Sequence, residues 1–252
     1  MGKIIAITNQ KGGVGKTTTA TTMAGALQRR GFKVLLVDCD QQCNSSDTYR
    51  AEIAGAATLY DLLFEPVSEP SEMVQHTACG DILAADPLLR EADKHLDGVS
   101  GTFRMRERLE PLKAEYDFII LDTPPQIGVM LTNALTAADE LVVPITADRY
   151  GVQGLTQLYE TIADIKKYTN AALKVDGLLL VKYTWRTRLS KSLHVAVRKI
   201  AEQFGTKVYE TTIRESTKTR EAQTERVSLY EYAPSCTTAV DYTNFVNEYL
   251  KG

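Results

Sequence analysis

A chain of 252 residues, 44% hydrophobic and 24% charged, can bury a sizeable core and reads as a globular α/β domain, not a disordered or fibrous one. Its net charge of −3 argues against a generic nucleic-acid binder, and no apolar run is long enough to span a bilayer. The four cysteines, Cys39, Cys43, Cys79 and Cys236, make no zinc-like paired spacing and no disulfide framework, so a reducing cytoplasm is expected.

The run Lys3-Ile4-Ile5-Ala6-Ile7-Thr8 predicts a short buried strand. Because the chain enters this strand at once, the sequence predicts neither a leader nor an N-terminal helix-turn-helix extension, and residues 1–252 are read as one domain. Gln10-Lys11-Gly12-Gly13-Val14-Gly15-Lys16-Thr17-Thr18 follows, and 19–30 predicts a helix that stops at Gly31. Strand, glycine-rich turn and helix N-terminus form a phosphate cradle. Successive backbone N–H groups converge there, and the helix dipole favours an anion. Glycines keep Cβ atoms out of the way of phosphate oxygens. Lys16 is expected to reach the β/γ-phosphates and the Thr17 hydroxyl to hold Mg²⁺, with 11–18 enclosing the nucleotide.

The run 33–37 predicts a central parallel strand that ends in Asp38 and Asp40. Ligands of such sheets bind at the carboxyl ends of strands, so both acids are expected to face the phosphate loop. Residues 41–57 read as a loop, 58–64 as a short helix capped by Thr58, and 65–72 as a linker. A weak strand at 81–85 and surface helices at 87–96 and 102–114 come next. Phe118-Ile119-Ile120-Leu121-Asp122 is a second strand ending in an acid, halted by Pro124 and Pro125. This is the Walker-B arrangement, in which Asp122 holds Mg²⁺ directly or through water. Thr123 and the two prolines make a candidate switch that senses the γ-phosphate.

The rest alternates: helix 129–138, strand 141–145, helix 151–168, strand 175–181, helix 190–204, edge strand 207–209, a helical turn at 219–224 and a last helix at 236–250. Such alternation implies a mostly parallel, twisted sheet with helices on both faces. Charge is uneven along it. The window 182–226 holds eleven Lys or Arg against five Glu, a balance of +6 that leaves −9 for the remainder. From that window Arg198, Lys199, Lys207, Arg214, Lys218 and Arg220 are the candidates for contact with DNA phosphates; a Trp-Arg-Thr-Arg stretch stands at 185–188.

The phosphate loop departs from the strict G-x-x-x-x-G-K-[ST] pattern, because Gln10 stands where the first glycine belongs and a second lysine, Lys11, precedes Gly12. In this form it resembles the deviant Walker-A ATPases of the ParA, Soj and MinD family, over nearly the whole chain. The resemblance implies a P-loop NTPase fold, ATP and Mg²⁺ as cofactors, and an ATP-dependent homodimer with two nucleotides sandwiched between subunits. Lys11 then matches the signature lysine that crosses to the partner's phosphates. Lys16 matches the phosphate-loop lysine, Asp40 the acid that orients the attacking water, Thr17, with Asp38 beside it, the Mg²⁺ site, and Asp122 the Walker-B acid. The implied function is segregation of plasmids or chromosomes in the cytoplasm, on the nucleoid. The ATP dimer binds DNA without sequence preference, and a ParB-type centromere-binding partner stimulates weak hydrolysis.

Two segments depart from the family pattern. D-x-D-P-Q-G-N reads Asp38-Cys39-Asp40-Gln41-Gln42-Cys43-Asn44 here, which is expected to free that loop. I-P-R reads Ile213-Arg214-Glu215. Two alternatives stand beside partition. A MinD-like membrane-positioning ATPase needs a basic amphipathic last helix, and 241–252 offers Lys251 as its single base, so core packing is expected and no stable membrane insertion. A nucleotide-switch scaffold with little hydrolysis is the other. An iron–sulfur relative needs cluster cysteines, and none follows Asp122 closely.

Overall fold

In the computed structural model the described residues are all but 1, 97, 147, 184–187 and 204. The strands β1 (Lys3–Ile7), β2 (Val34–Asp38), β3 (Gln75–Thr77), β4 (Gly80–Leu83), β5 (Phe118–Asp122), β6 (Glu140–Thr146), β7 (Lys174–Val181) and β8 (Lys207–Val208) join one sheet. Its order is β3-β4-β2-β5-β1-β6-β7-β8, and only the β3–β4 pair is antiparallel among the described strands. The expected α/β fold with a mostly parallel sheet is therefore what the chain adopts.

The helices are α1 (Lys16–Gln28), α2 (Asn44–Thr48), α3 (Leu59–Phe64), α4 (Ala92–His95), α5 (Gly98–Leu109), α6 (Val129–Ala137), α7 (Arg149–Tyr168), α8 (Arg188–Gln203), α9 (Thr217–Thr224), α10 (Leu229–Tyr232) and α11 (Thr237–Tyr249). Strand side chains alternate between two apolar clusters, one on each face of the sheet. Ile4, Ala6, Leu35, Val37, Ile119 and Leu121 lie in the first, with residues of α3 and α5 to α8. Ile5, Ile7, Val34, Leu36, Phe118 and Ile120 lie in the second, under α1 and α11. Burial on both faces is why these strands read as unbroken apolar runs.

Where element bounds differ from the sequence reading, local chemistry accounts for it. Residues 102–114 are not one helix: α5 ends at Leu109, and Pro111, with no N–H to donate, restarts the chain as a 3₁₀ turn to Ala114. Residues 87–96 split likewise into a 3₁₀ turn at Pro87–Glu91 and the short α4. The expected loop at 41–57 contains α2, a helix with no periodic apolar face to announce it. The turn expected at 219–224 is the two-turn α9, capped by the Ser216 hydroxyl, which accepts from the Lys218 N–H at 3.2 Å. As expected for core packing, α11 buries Tyr242, Phe245, Val246 and Tyr249. The 185–187 part of the Trp-Arg-Thr-Arg stretch lies outside the described residues.

Candidate nucleotide site

The phosphate loop leaves the carboxyl end of β1 at the centre of the sheet. Asn9 fixes its first turn: its side-chain amide donates to the Pro144 carbonyl at 2.7 Å, and its Oδ1 accepts from the Lys11 N–H at 2.9 Å. Gly13 (φ 68°) and Gly15 (φ 105°) adopt the left-handed region, and Gly15 is the residue from which α1 springs. A Cβ built at Gly12, Gly13 or Gly15 would meet no atom within 4 Å, so the loop curls around open space. That space suits an anion at a helix N-terminus.

Lys16, only 7% exposed, sits under this space. Burial lowers its pKa, while the charges of Asp122 and Asp40 pull it back up. Asp38 and Asp122 lie side by side, because β2 and β5 pair in the register Asp38 to Asp122. Burial raises both carboxyls above the ordinary carboxylate range, and for Asp38 the charge of Asp122 adds to it. The two acids differ in how they are satisfied. Asp38 accepts from the Asp40 N–H at 3.1 Å and from both the N–H and the hydroxyl of Ser46 at 2.8 Å. Asp122 accepts the Ser45 hydroxyl on Oδ2 at 2.8 Å, while its buried Oδ1 has no hydrogen bond of standard geometry. The Thr17 hydroxyl and Lys16 are close enough to oppose the rise in its pKa.

A buried carboxylate beside a threonine hydroxyl at a phosphate cradle fits a hard divalent cation. Among the described residues no three His, Cys, Asp or Glu side chains make a closed metal cage. Mg²⁺ takes few protein ligands and completes its shell with phosphate and water, so one carboxylate and one hydroxyl suffice to hold it.

Asp40 lies at the cavity wall, 8% exposed, its Oδ1 taking the Gln42 N–H at 3.0 Å. The loop that follows is closed rather than freed. The Cys43 N–H returns to the Asp40 carbonyl at 2.9 Å, and Cys43 itself adopts φ 54°, the left-handed conformation for which the family pattern carries glycine. Lys11 is folded back on its own chain, with Nζ 3.0 Å from Thr146 Oγ1 and 2.7 Å from Asp148 Oδ2. The Thr123 hydroxyl donates to the Ile7 carbonyl at 2.9 Å, and Pro125 is the member of that switch segment that lines the cavity.

The cavity measures about 550 Å³, within the usual range for small-molecule sites. Gly12 to Thr18 and Asp40 form one wall; Val181, Lys182, Ile213 to Ser216, Gln223 and Tyr242 form the other. The far wall is tied to α1. Gln223 donates to the Thr18 hydroxyl at 3.2 Å, and the Tyr242 and Thr19 hydroxyls are 2.8 Å apart. Ser45, Ser46, Asn9, Lys182 and Gln223 are the site residues that sequence reasoning missed. Adjacent serines just past an acid-ended strand were the one signal available.

The six cations picked for DNA do not form one cluster by position. Arg198 and Lys199 lie on α8 and Lys207 on β8, whereas Arg214, Lys218 and Arg220 stand at or near the cavity rim. Arg198 pairs with Glu210 at 2.8 Å, Lys207 with Asp176 at 3.6 Å and Lys218 with Glu221 at 2.7 Å. Arg214 grips Asp241 through Nε, Nη2 and its own backbone N–H. The exposed Lys199 and Arg220 side chains make no ion pair among the described residues.

A phosphate loop on the central strand of a parallel sheet, faced by strand-end carboxylates, defines a P-loop nucleotide-binding protein. Residues 2–175 match the family model described as an AAA domain. Over 252 residues the chain is 35% identical to the sporulation initiation inhibitor protein Soj of Bacillus subtilis (strain 168), covering 98% of each. It is 33% identical to the chromosome partitioning protein ParA of Caulobacter vibrioides (strain NA1000 / CB15N), covering 98% of this chain and 94% of that one. Its fold matches the crystal structure of cobyrinic acid a,c-diamide synthase from Mycobacterium smegmatis with a bound ATP analogue and magnesium. The TM-score is 0.85 at 28% identity, over 100% of this chain and 95% of that one. The chain belongs to the AAA-domain family, among the ATPases of the ParA/Soj type.

Proposed function

We propose that this chain is a Mg²⁺-dependent ATPase that partitions DNA, acting as an ATP-dependent homodimer reset by hydrolysis. One observation carries the reading: the glycine cradle, Lys16, Thr17 and Asp40 line one cavity, with the buried Asp122 carboxylate close behind Lys16 and Thr17. A similar fold holding an ATP analogue and magnesium, and a relative named as a chromosome partitioning protein, support it. Bound Mg²⁺ would neutralise charge that develops on the β- and γ-phosphate oxygens, with Thr17 and Asp122 as its protein ligands. Asp38, its oxygens already engaged, holds α2 and with it Ser45 against Asp122. Lys16 supplies a fixed countercharge in a site shielded from water. Asp40 gives one oxygen to the Gln42 N–H and keeps the other for the attacking water. Lys11 leaves Asp148 and Thr146 to meet a partner's phosphates, which makes dimerisation depend on nucleotide.

Exposed cations in 182–226 supply DNA contact without base readout, and pairing two copies doubles it. A ParB-type partner accelerates a slow basal turnover on the nucleoid. The apolar side of α11 is spent on the core, which favours the DNA reading over a membrane-positioning one.

The test is a set of three variants read by nucleotide titration and by light scattering. Asp40→Ala is expected to bind ATP and accumulate as a dimer, whereas Lys11→Ala binds ATP and stays monomeric. Lys16→Ala is expected to lose nucleotide. Wild-type ATP affinity in Lys16→Ala, or a monomeric Asp40→Ala with nucleotide bound, overturns the reading.

A further inference from the structure

Lys182 has no role in the machinery above, yet its backbone is unusual. It follows the last residue of β7 with φ 51°, a left-handed conformation that L-residues adopt only at a cost. The conformation is imposed from both sides. Val181 bridges to Ile213, and the Tyr183 N–H donates back to the Ile213 carbonyl at 3.0 Å. Val181 and Tyr183 are each 2% exposed, so the turn is anchored by buried neighbours and expels Lys182 between them. The expelled side chain lines the cavity and closes on the phosphate loop: Nζ donates to the Gly13 carbonyl at 2.8 Å.

That carbonyl matters because Gly13 C=O and Val14 N–H belong to one planar trans peptide and point in opposite directions. Whatever holds the oxygen aims the hydrogen. Gly13 has no side chain to settle the matter locally, and its φ of 68° lies where glycine alone moves freely. We infer that Lys182 is a positioning residue of the phosphate site. By pinning the Gly13 carbonyl from the end of β7, it keeps the Val14 N–H set toward the cradle before any nucleotide arrives. Donors fixed in advance bind an anion without a reorganisation cost. The inference rests on the nucleotide-site reading and adds to it a residue from the opposite wall.

The experiment is calorimetric titration of the full chain with Mg-ADP, chosen because it needs neither turnover nor dimerisation. Lys182→Met, which keeps the stem and removes the donor, is expected to weaken Mg-ADP binding by about tenfold, the worth of one charge-assisted hydrogen bond. Lys182→Arg is expected to restore affinity to within about threefold of the wild type, since it can still donate to a carbonyl. The apparent Tm without nucleotide reports whether the fold is intact; if Lys182→Met does not fold, Lys182→Leu, which also lacks a donor, takes its place. Wild-type affinity in the donor-free variant overturns the inference, as does a loss that Lys182→Arg fails to rescue. Failure of the wild type itself to bind Mg-ADP would instead overturn the nucleotide reading.

Discussion

Ser46→Ala should be more damaging than its size suggests. The Ser46 hydroxyl is fully buried and used twice: it donates to Asp38 Oδ2 at 2.8 Å and accepts from the Ala85 N–H at 2.8 Å. The substitution removes a hydrogen bond to an acidic group, about 1–2 kcal/mol, and orphans a buried backbone N–H, about 1–3 kcal/mol. The sum is roughly 3 kcal/mol. At about 2–4 °C per kcal/mol for a chain of this size, the Tm of the nucleotide-free protein should fall by about 9 °C. Ser45→Ala is the internal comparison. Its hydroxyl makes one bond, to Asp122 Oδ2 at 2.8 Å, so its loss should cost about a third as much. Differential scanning calorimetry at fixed pH reads both. Equal losses, or a fall below about 3 °C for Ser46→Ala, would refute the argument that this hydroxyl wires α2 to two strand ends at once.

Two further outcomes follow from the same site and from the charge map. Burial places the folded-state pKa of Asp122 above its ordinary value of 3.8, so the folded metal-free protein binds the extra proton and loses stability as pH rises from about 4 toward neutrality. Asp122→Asn removes that cost. It should raise the metal-free Tm at pH 7.5 and flatten its pH dependence, and a lower Tm at that pH would count against the assignment. For DNA, the exposed Lys199 and Arg220, which make no ion pair among the described residues, should matter more than Arg198 or Lys218, which are already neutralised by Glu210 and Glu221. Removing both of these cations takes up to four phosphate contacts from an ATP dimer. The slope of log affinity against log salt should then flatten by up to about 4, measured on random-sequence duplex; an unchanged slope excludes those two residues as contacts.

The sequence by itself determined everything that depends on neighbours in the chain. Apolar runs on both faces of each strand, glycines exactly where a loop must turn left-handed, and acids ending β2 and β5 made the parallel sheet and its phosphate edge legible. It also placed Lys11, Lys16, Thr17, Asp38, Asp40 and Asp122 on that edge, because strand ends in a parallel sheet share one rim. What tertiary structure decided was which of these groups are already satisfied. Asp38 and Asp122 look alike in sequence, yet α2 gives Asp38 two bonds from Ser46 and Asp122 one from Ser45, since helix register points adjacent serines at adjacent strands. Charge composition marked 182–226 as basic, but only the folded chain pairs Arg198, Lys207, Arg214 and Lys218 with acids and leaves Lys199 and Arg220 exposed. Lys182 is the sharpest case. Nothing local distinguishes it from its neighbours, and its reach to Gly13 across 169 positions exists because β7 and the phosphate loop end at the same rim.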